Sequence, residues 1–447
     1  MELVVVTSRA PFSHDISDGK EIIRHNVGGV ATALEHALSR SGGIWVCWGD
    51  GKIDERYSDE STGEFRVKRI FLTREEKNGF YDQYSNGTLW PVFHYFRTKA
   101  KFIPKAFEFY RKVNRKFMDA VLENLSDSTM IWIHDYQLCL VPGMLKEQGV
   151  RNKIAFTWHI PWVSPEFFSI LPEASEILKS ICKSDLVTFH TRIYRKNFVS
   201  SVQSILGYSP EKIPRVMSIP LGIDTKYYRN GPESHLRIEN IQDKKLIFSI
   251  DRLDYTKGLS NRLVAFDHFM TAHPEFRGKF VYVMIVTPSR TNVSEYQMMK
   301  RELEMNIGRV GGKHGDLEWR PILYIYRKIG SNMLRALYKR ADVALITPLI
   351  DGLNLVSKEF VSANDHGVLI ISKFAGSSNE LEGAIKVNPY NTEETSNAIY
   401  RALTMPQREA RKRMASMRNY LDRHDLKWWT SSIEKALSGG IIPKNER

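Results

Sequence analysis

The sequence predicts an α/β protein made of two Rossmann-like domains, each a doubly wound parallel sheet. Short, uninterrupted apolar runs recur along the chain, as expected of strands that are buried on both faces. Amphipathic stretches with helical spacing separate these runs, which is the alternation that produces parallel sheets covered by helices. The length of 447 residues is sufficient for two such domains.

The strand and helix assignments follow from this alternation. The runs that predict buried strands are 3–7, 44–48, 130–135, 153–159, 186–190, 245–250, 279–286, 342–347 and 367–372. The clearest amphipathic helices are predicted over 117–125, 260–272, 333–341 and 394–405.

A polar stretch over 229–245 marks the boundary between the two sets of strands. We therefore assign residues 1–230 to the first domain and 231–423 to the second. Two such domains facing each other would enclose a deep cleft. Open α/β sheets bind ligands at the carboxyl ends of their strands, so this cleft is the predicted site.

Composition excludes several classes of protein. No run approaches the roughly 20 apolar residues of a membrane helix, and the N-terminus has no basic flank or cleavage site, so we predict a cytoplasmic protein without a membrane partner. The net charge of +13 is spread along the chain without a nucleic-acid-binding motif. This charge instead favours anionic substrates or a solvated basic surface. The three cysteines have no CxxC spacing, which predicts buried thiols.

Candidate binding residues in the first half lie at predicted strand ends. Arg9 follows the first strand, and a guanidinium suits a phosphate. Asp135 and His159 end two other strands, where they could bind hydroxyl groups or could be structural. Gly28–Gly29 precedes a helix, a pattern that fits either a turn or a close approach to an anion. The aromatic segment 80–95 is interpreted either as a packed loop or as a wall against a sugar.

In the second half, Arg252 and Lys257 lie five residues apart after a strand, and Arg290 follows another strand. Two cations at a strand end could neutralise a pyrophosphate, although each alone could be a solvated loop charge.

The segment DGLNLVSKE, residues 351–359, predicts a turn that leads into a helix. The first amides of this helix could hold phosphate oxygens, and Glu359 could bind two ribose hydroxyls. The alternative is a helix capped by Asp351 with Glu359 as a surface charge.

Together these motifs resemble trehalose-6-phosphate synthases, which are retaining glycosyltransferases of family 20 with the two-domain GT-B fold. The similarity extends over nearly the whole chain. The most specific segments are NGTLWPVFHY, IWIHDYQL, HIPWVSPEFF, DRLDYTKGL, DGLNLVSKE and FAGSSNEL. It also implies that residues 424–447 form a helix that returns to the first domain, followed by a tail.

The resemblance assigns roles to residues at matching positions. The implied acceptor is glucose 6-phosphate, bound by Arg9, Tyr81, Trp90, Asp135 and Arg290. The implied donor is UDP-glucose, bound by Gly29, His159, Arg252, Lys257, Asp351, Asn354, Leu355 and Glu359. Catalysis is expected to involve Arg252, Lys257, His159 and Asp135.

The family mechanism implies that the acceptor hydroxyl attacks from the face that the diphosphate leaves. The leaving phosphate takes the proton, and protein cations stabilise the departing oxygens. The resemblance implies neither a metal nor a cofactor. It leaves a homo-oligomer open.

The sequence also departs from the family pattern. Ile350 replaces the usual arginine, and residues 329–331 and the N-terminal loop differ, so ADP- or GDP-glucose stays open as the donor. Another acceptor, such as glycerol 3-phosphate or a cyclitol phosphate, is an alternative, although Tyr81 and Trp90 favour the sugar phosphate. A PLP-dependent phosphorylase and a non-catalytic regulatory or nucleic-acid-binding homologue are further alternatives. The presence of Arg252, Lys257 and Glu359 argues against a non-catalytic chain.

Overall fold

The computed structural model describes residues 2–25, 29–234, 243–290 and 294–440. These residues form two units, which are described separately. Unit 1 comprises residues 1–222 together with 426–447, and unit 2 comprises residues 223–425.

The strands of unit 1 are β1 (Leu3–Arg9), β2 (Phe12–Ser17), β3 (Lys20–His25), β4 (Gly43–Trp48), β5 (Asp59–Ser61), β6 (Arg66–Ile70), β7 (Met130–His134), β8 (Ile154–Thr157), β9 (Leu186–Phe189) and β10 (Arg215–Ser218). Its helices are α1 (Gly29–Ser41), α2 (Arg74–Lys77), α3 (Trp90–Phe93), α4 (Pro104–Leu122), α5 (Val141–Glu147), α6 (Pro165–Phe168), α7 (Ala174–Ile181) and α8 (Arg192–Leu206).

Eight of these strands form one sheet in the order β10-β9-β8-β7-β1-β4-β6-β5, in which only β5 is antiparallel to its neighbour. The central strands are mostly apolar and are buried over almost their whole length, because helices cover both faces of the sheet. Strands β2 and β3 pair as a separate antiparallel hairpin.

Unit 2 contains β11 (Lys245–Arg252), β12 (Phe280–Thr287), β13 (Ile322–Tyr326), β14 (Val343–Ile346), β15 (Val368–Ser372) and β16 (Ile385–Val387). Its helices are α9 (Thr225–Asn230), α10 (Leu259–Ala272), α11 (Ser294–His314), α12 (Ser331–Arg340), α13 (Leu355–Ala363), α14 (Thr392–Thr404) and α15 (Gln407–Arg423).

The six strands of unit 2 form a fully parallel sheet in the order β13-β12-β11-β14-β15-β16. Alternate residues of each strand enter two separate cores. Phe280 and Met284 of β12 lie in one core with Phe266, whereas Val283 lies in the other with Phe248. This alternation is the sign of a sheet packed on both faces.

The last helix, α16 (Leu426–Leu437), belongs to unit 1. Its Trp429 is fully buried, and its ring lies 4.9 Å from the ring of Trp132 on β7. The Arg215 guanidinium donates to the carbonyl of Ala436 at 2.6 Å and so ties the end of α16 to β10. Within the described ranges, none of the helices is long and apolar enough to cross a membrane.

All nine predicted strands are present. Segment 80–95 differs from the expected loop, because residues Asn78–Leu89 form a π-helix that continues directly into α3. The N-terminal segment that departs from the family pattern contains the β2–β3 hairpin. Residues 441–447 of the expected tail and Gly28 lie outside the described residues.

Candidate functional site

Parallel pairing brings the predicted polar residues of unit 1 to one edge of its sheet. Arg9 is the last residue of β1, Asp135 follows β7 and His159 lies two residues beyond β8. Because β8, β7 and β1 are consecutive in the sheet, their carboxyl ends are neighbours.

Arg9 lies against two aromatic rings and one carboxylate. Its guanidinium carbon is 4.7 Å from the centroid of Tyr81 and 5.0 Å from that of Trp48. The guanidinium also pairs with the Asp50 carboxylate. Cation–π contacts and the ion pair orient a partly exposed cation, which is an arrangement suited to binding a phosphate.

Tyr81 lies within the π-helix, and Trp90 is the first residue of α3, which directly follows it. A capping box of Thr73 and Glu76 begins the preceding α2, and the chain stays helical from there to Phe93. The Asn86 amide donates to the carbonyl of Tyr81 at 2.9 Å, and Tyr136 next to Asp135 donates to the Asn86 side chain at 3.1 Å. These bonds tie the aromatic segment to the end of β7. A π-helical stretch is rare and often marks a functional site.

Asp135 has an unusual backbone with φ of 71°. Its carboxylate accepts from the His159 amide at 3.2 Å, so the two predicted residues meet. Burial raises the pKa of the Asp135 carboxyl to about 7, although the amides of His159 and Tyr136 oppose the shift. The residue as a whole remains partly exposed. A carboxyl with this pKa can accept or donate a hydrogen bond near neutral pH.

The His159 ring lies between two other imidazoles. Its Nε2 is 3.0 Å from His134 Nδ1, and its Nδ1 is 3.0 Å from His190 Nε2. Burial lowers the pKa of His159 to about 3, so the ring is neutral at physiological pH. Gly29, the remaining predicted residue of unit 1 in the donor set, begins α1.

In unit 2, Lys257 and Asp351 form an ion pair at the carboxyl ends of neighbouring strands. The Lys257 ammonium donates to Asp351 Oδ2, and both side chains are largely buried. Asp351 also accepts from the Leu353 amide and the Asn354 side chain, each at 3.2 Å. The carboxylate therefore fixes both the ammonium and the turn that leads into α13.

Gly258 and Arg262 support the loop that carries Lys257. Gly258 has φ of 64°, and a Cβ there would lie 2.7 Å from the carbonyl of Thr347. The buried Arg262 guanidinium donates to Asp251 at 2.8 Å, to Thr347 Oγ1 at 3.0 Å and to the Lys257 carbonyl at 3.3 Å. The backbone of Lys257 is therefore held in position by a second cation, the buried Arg262.

Asn354 caps α13. Its side chain accepts from the Ser357 amide at 3.1 Å, and its own backbone has φ of 71°. Asp351 is the cap that the sequence offers as an alternative, but in the structure Asp351 binds the turn and the Lys257 ammonium instead. Helix α13 begins at Leu355, so the amides of Asn354 and Leu355 lie at its positive end.

The two remaining predicted arginines lie close to Asp254. The Arg290 guanidinium is 3.5 Å from Asp254 Oδ2 and donates to the Tyr296 hydroxyl. Arg252 ends β11 with an exposed side chain. Burial alone would raise the pKa of Asp254, but the positive charges of Arg290 and Arg252 hold this pKa below its ordinary value. Four of the five predicted acceptor residues thus lie in unit 1, and Arg290 lies in unit 2.

Glu359 is not a surface charge. Its Oε2 accepts from the Tyr338 hydroxyl at 2.7 Å, and Tyr228 also donates to it. Burial raises the pKa of the Glu359 carboxyl, and the two tyrosine bonds oppose that shift. The tyrosines orient the carboxylate, and a carboxylate has two acceptor oxygens that can bind a diol.

The structure adds site residues that were not predicted from the sequence. They are Trp48, Asp50, His134, His190, Arg262 and Tyr338. Trp48, His134 and His190 lie at or just after strand ends, so the rule that found Arg9 and Asp135 would have found them too. Arg262 and Tyr338 lie inside helices and carry no comparable signal.

The described ranges contain no group of three or more His, Cys, Asp or Glu side chains arranged to hold a metal ion. The three histidines do not form such a group, because their ring nitrogens are hydrogen-bonded to one another, His134 to His159 and His159 to His190.

A family model described as Glycosyltransferase family 20 matches residues 1–438. The chain belongs to this family. A bifunctional trehalose-6-phosphate synthase/phosphatase of Thermoproteus tenax is 40% identical over 470 residues, which cover 98% of this chain and 64% of the relative. The family 20 chain thus spans less than two thirds of the length of that relative.

Solved structures of related proteins share the fold. An E. coli protein bound with UDP-2-fluoro glucose has a TM-score of 0.90 and 33% identity, over 99% of this chain and 100% of that one. A UDP-forming alpha,alpha-trehalose-phosphate synthase from Burkholderia xenovorans, in complex with glucose-6-phosphate, has a TM-score of 0.89 and 31% identity, over 98% of this chain and 100% of that one. The family 20 chain therefore has the fold predicted for it, with parallel-sheet α/β domains of the GT-B type.

Proposed function

We propose that this family 20 chain transfers glucose from UDP-glucose to glucose 6-phosphate with retention, which gives trehalose 6-phosphate. The observation that carries the proposal is the Lys257–Asp351 pair at the start of α13. It joins a fixed ammonium to the positive end of a helix, which is a combination suited to a diphosphate. The related proteins crystallised with UDP-2-fluoro glucose and with glucose-6-phosphate support the choice of substrates.

On the donor side, Lys257, Arg252 and the amides of Asn354 and Leu355 bind the diphosphate. Asp351 keeps the ammonium in place and approaches the donor sugar. Glu359, aimed by Tyr338, accepts from the ribose hydroxyls. As the glycosidic bond breaks, negative charge grows on the leaving oxygen, and the fixed cations stabilise that charge in the transition state.

On the acceptor side, Arg9 binds the sugar phosphate, with Tyr81 and Trp90 as neighbouring contacts. Because Asp50 pairs with Arg9, we expect the phosphate to compete with that carboxylate. Asp135 binds acceptor hydroxyls. The attacking hydroxyl passes its proton to the leaving phosphate, so no protein carboxylate is needed as a nucleophile.

A release assay tests the proposed function. The chain is incubated with glucose 6-phosphate and with UDP-, ADP- or GDP-glucose in turn, and nucleoside diphosphate release is measured. Glycerol 3-phosphate replaces the acceptor in a parallel series. We expect release with UDP-glucose and glucose 6-phosphate and formation of a phosphorylated non-reducing disaccharide. No release with any donor would refute the synthase activity, and release with glycerol 3-phosphate alone would move the proposal to another acceptor.

A further inference from the structure

The β2–β3 hairpin begins three residues after Arg9, in the segment where this sequence departs from the family pattern. Its base is packed against unit 1, because Phe12 and His14 are buried, at 6% and 4% exposed. The His14 ring also stacks on Tyr57, with the ring centroids 3.9 Å apart. The surface that the hairpin contacts includes residues 50–54, the loop that follows β4.

Three hydrogen bonds join the hairpin to this loop. The His14 amide donates to Asp54 Oδ1 at 2.7 Å, and the Ile53 amide donates back to the His14 carbonyl at 3.2 Å. The Lys52 amide donates to the Asp15 carboxylate at 3.2 Å. Because two of the loop amides and one loop carboxylate are bound to the hairpin, the hairpin fixes the backbone of the loop.

Gly51 makes the close contact between the loop and the hairpin possible. A Cβ at this position would lie 2.5 Å from the carbonyl oxygen of His14, so only glycine fits there. The Gly51 amide also donates to Asp54 Oδ2 at 2.8 Å, which closes the loop on itself. The residue before Gly51 is Asp50, whose backbone is therefore held in place from one side.

Asp50 is the residue that the loop presents to Arg9. Its carboxylate accepts from Arg9 Nη1, and the two side chains are 23% and 44% exposed, so a ligand can reach the pair. The rings of Tyr81 and Trp48 already orient the guanidinium. The ion pair is therefore not needed to orient Arg9. A carboxylate in contact with this cation opposes the binding of a second anion, whether the carboxylate is displaced or stays.

The hairpin makes this opposition persistent. A carboxylate on a free loop could move into solvent at little cost when a phosphate arrives. An aspartate side chain is short, so a fixed backbone keeps the charge of Asp50 close to Arg9 even if the side chain rotates. The strength of the competition thus depends on the contact between the hairpin and the loop.

We propose that the β2–β3 hairpin holds Asp50 against Arg9 as an internal competitor of the acceptor phosphate, and that this competition sets how tightly unit 1 binds a phosphate ester. Substrate and product carry the same phosphate, so Asp50 weakens the binding of both and favours release of the product. This inference rests on the proposed function, which places the acceptor phosphate at Arg9.

The first test removes the charge of the competitor. Asp50→Asn keeps the size of the side chain, and the dissociation constant of glucose 6-phosphate is measured by calorimetry. We expect binding to become about fivefold tighter, the scale of a partly exposed ion pair that no longer has to be broken. Damage to the fold would not produce a gain in affinity. Asp127→Asn removes the same charge from an exposed loop before β7, at the amino ends of the strands, and should change nothing.

The second test separates the loop from the hairpin. Gly51→Ala forces the loop away from the His14 carbonyl, and Asp15→Ala is a milder variant that removes the bond to the Lys52 amide. We expect both to tighten the binding of glucose 6-phosphate, and neither to add to the gain of Asp50→Asn, because the competing charge is then absent. Additive gains, or weaker binding in both variants, would show that the hairpin does not act through Asp50.

Unchanged binding in Asp50→Asn would overturn the proposal, and weaker binding would show that the carboxylate orients Arg9 instead. If glucose 6-phosphate bound to none of these proteins, the acceptor in the proposed function would be wrong, and the same titration with inorganic phosphate would still test Asp50. A chain in which Asp50→Asn tightens binding but which transfers no glucose would count against the proposed function alone.

Discussion

The two units place chemically different groups at the same edge of similar sheets. At the strand ends of unit 1, three neutral imidazoles are joined by hydrogen bonds, and the only ion pair described above is that of the partly exposed Arg9 with Asp50. At the strand ends of unit 2, they are charges in pairs, such as Lys257 with Asp351 and Arg262 with Asp251. Both sheets are parallel apart from β5 and consist mainly of buried apolar strands, so the contrast comes from the residues at the strand ends and not from the fold.

This difference follows the chemistry proposed for each unit. A departing diphosphate gains negative charge, and cations that are already fixed stabilise it without reorganisation. Sugar hydroxyls carry no net charge, and neutral donors and acceptors bind them without the desolvation cost of an ion. In the proposed function, the charge pairs of unit 2 thus serve the step in which charge changes, whereas the linked histidines of unit 1 are uncharged.

The largest expected effect is on stability and concerns a buried charge pair of unit 2 that has no assigned part in the reaction. The Lys358 ammonium is completely buried, and its Nζ is 2.7 Å from Glu380 Oε1. Lys358→Met leaves Glu380 buried and unpaired, so we expect a loss of about 3–5 kcal/mol in the free energy of unfolding. Urea unfolding measures this loss.

Two further variants test whether burial of the unpaired charge causes the loss in Lys358→Met. The double substitution Lys358→Met with Glu380→Leu should restore most of the stability, because no buried charge remains unpaired. Lys373→Met breaks the exposed pair with Glu394 and should cost no more than about 1 kcal/mol. If Lys358→Met and Lys373→Met lost the same free energy of unfolding, burial would not determine how much an ion pair of unit 2 contributes to stability.

The next effect is on the chemical rate. Lys257→Ala removes the ammonium that Asp351 holds at the start of α13, and we expect kcat to fall by about 10²–10³ at saturating donor. Arg252→Ala should also lower kcat. The exposed Lys386 on β16 gives a control, since Lys386→Ala removes the same charge from unit 2 away from these residues. Full turnover of Lys257→Ala would remove this residue from the proposed mechanism.

Much of this fold could be predicted because buried parallel strands leave an unambiguous pattern. LVVV at residues 3–6 and VALI at residues 343–346 are apolar at every position, and the structure places both in the centre of a sheet. The hairpin FSHDIS–KEIIRH could not be found in this way, because it is partly exposed and its polar residues do not alternate regularly with apolar ones. The aromatic segment 80–95 has no helical period because it is largely π-helical.

The candidate site could be predicted where it depends on strand ends. Asp135 and His159 were both found at strand ends, and their contact at 3.2 Å follows from the adjacency of β7 and β8. The partners of Glu359 could not be predicted, since Tyr338 and Tyr228 are brought to it only by the packing of separate helices. Strand ends are fixed by topology, whereas contacts between helices depend on three-dimensional packing that a local pattern does not record.

A smaller effect concerns recognition of the ribose by Glu359. Glu359→Gln replaces one carboxylate oxygen with a donor, so a ribose diol loses one acceptor, and we expect the donor KM to rise about tenfold. Tyr338→Phe keeps the carboxylate but removes its 2.7 Å hydrogen bond, and should raise the KM less. A UDP-glucose analogue with deoxyribose should lose affinity for the unsubstituted chain and not for Glu359→Gln. If both chains discriminate equally against the deoxy analogue, Glu359 does not bind the ribose.

The smallest effect returns to unit 1 and tests whether Asp135, next to His159, is uncharged. Burial raises the pKa of Asp135 to about 7 in the folded protein, above the ordinary value of an unfolded aspartate. The protonated carboxyl is therefore favoured by folding, and this stability is present in acid and lost as the pH rises to about 7. Asn is a matched neutral replacement that also tolerates the φ of 71°.

We therefore expect the free energy of unfolding of Asp135→Asn, relative to that of the unsubstituted chain, to increase from pH 5 to pH 8. The expected increase is only about 1 kcal/mol, because solvent screens the partly exposed side chain. Urea unfolding of both proteins at the two pH values gives this difference, and the exposed Asp127→Asn should show none. A stability difference that is independent of pH would mean that Asp135 is charged throughout. Asp135 would then be an anion beside His159, and the contrast with unit 2 would rest on the three linked histidines alone.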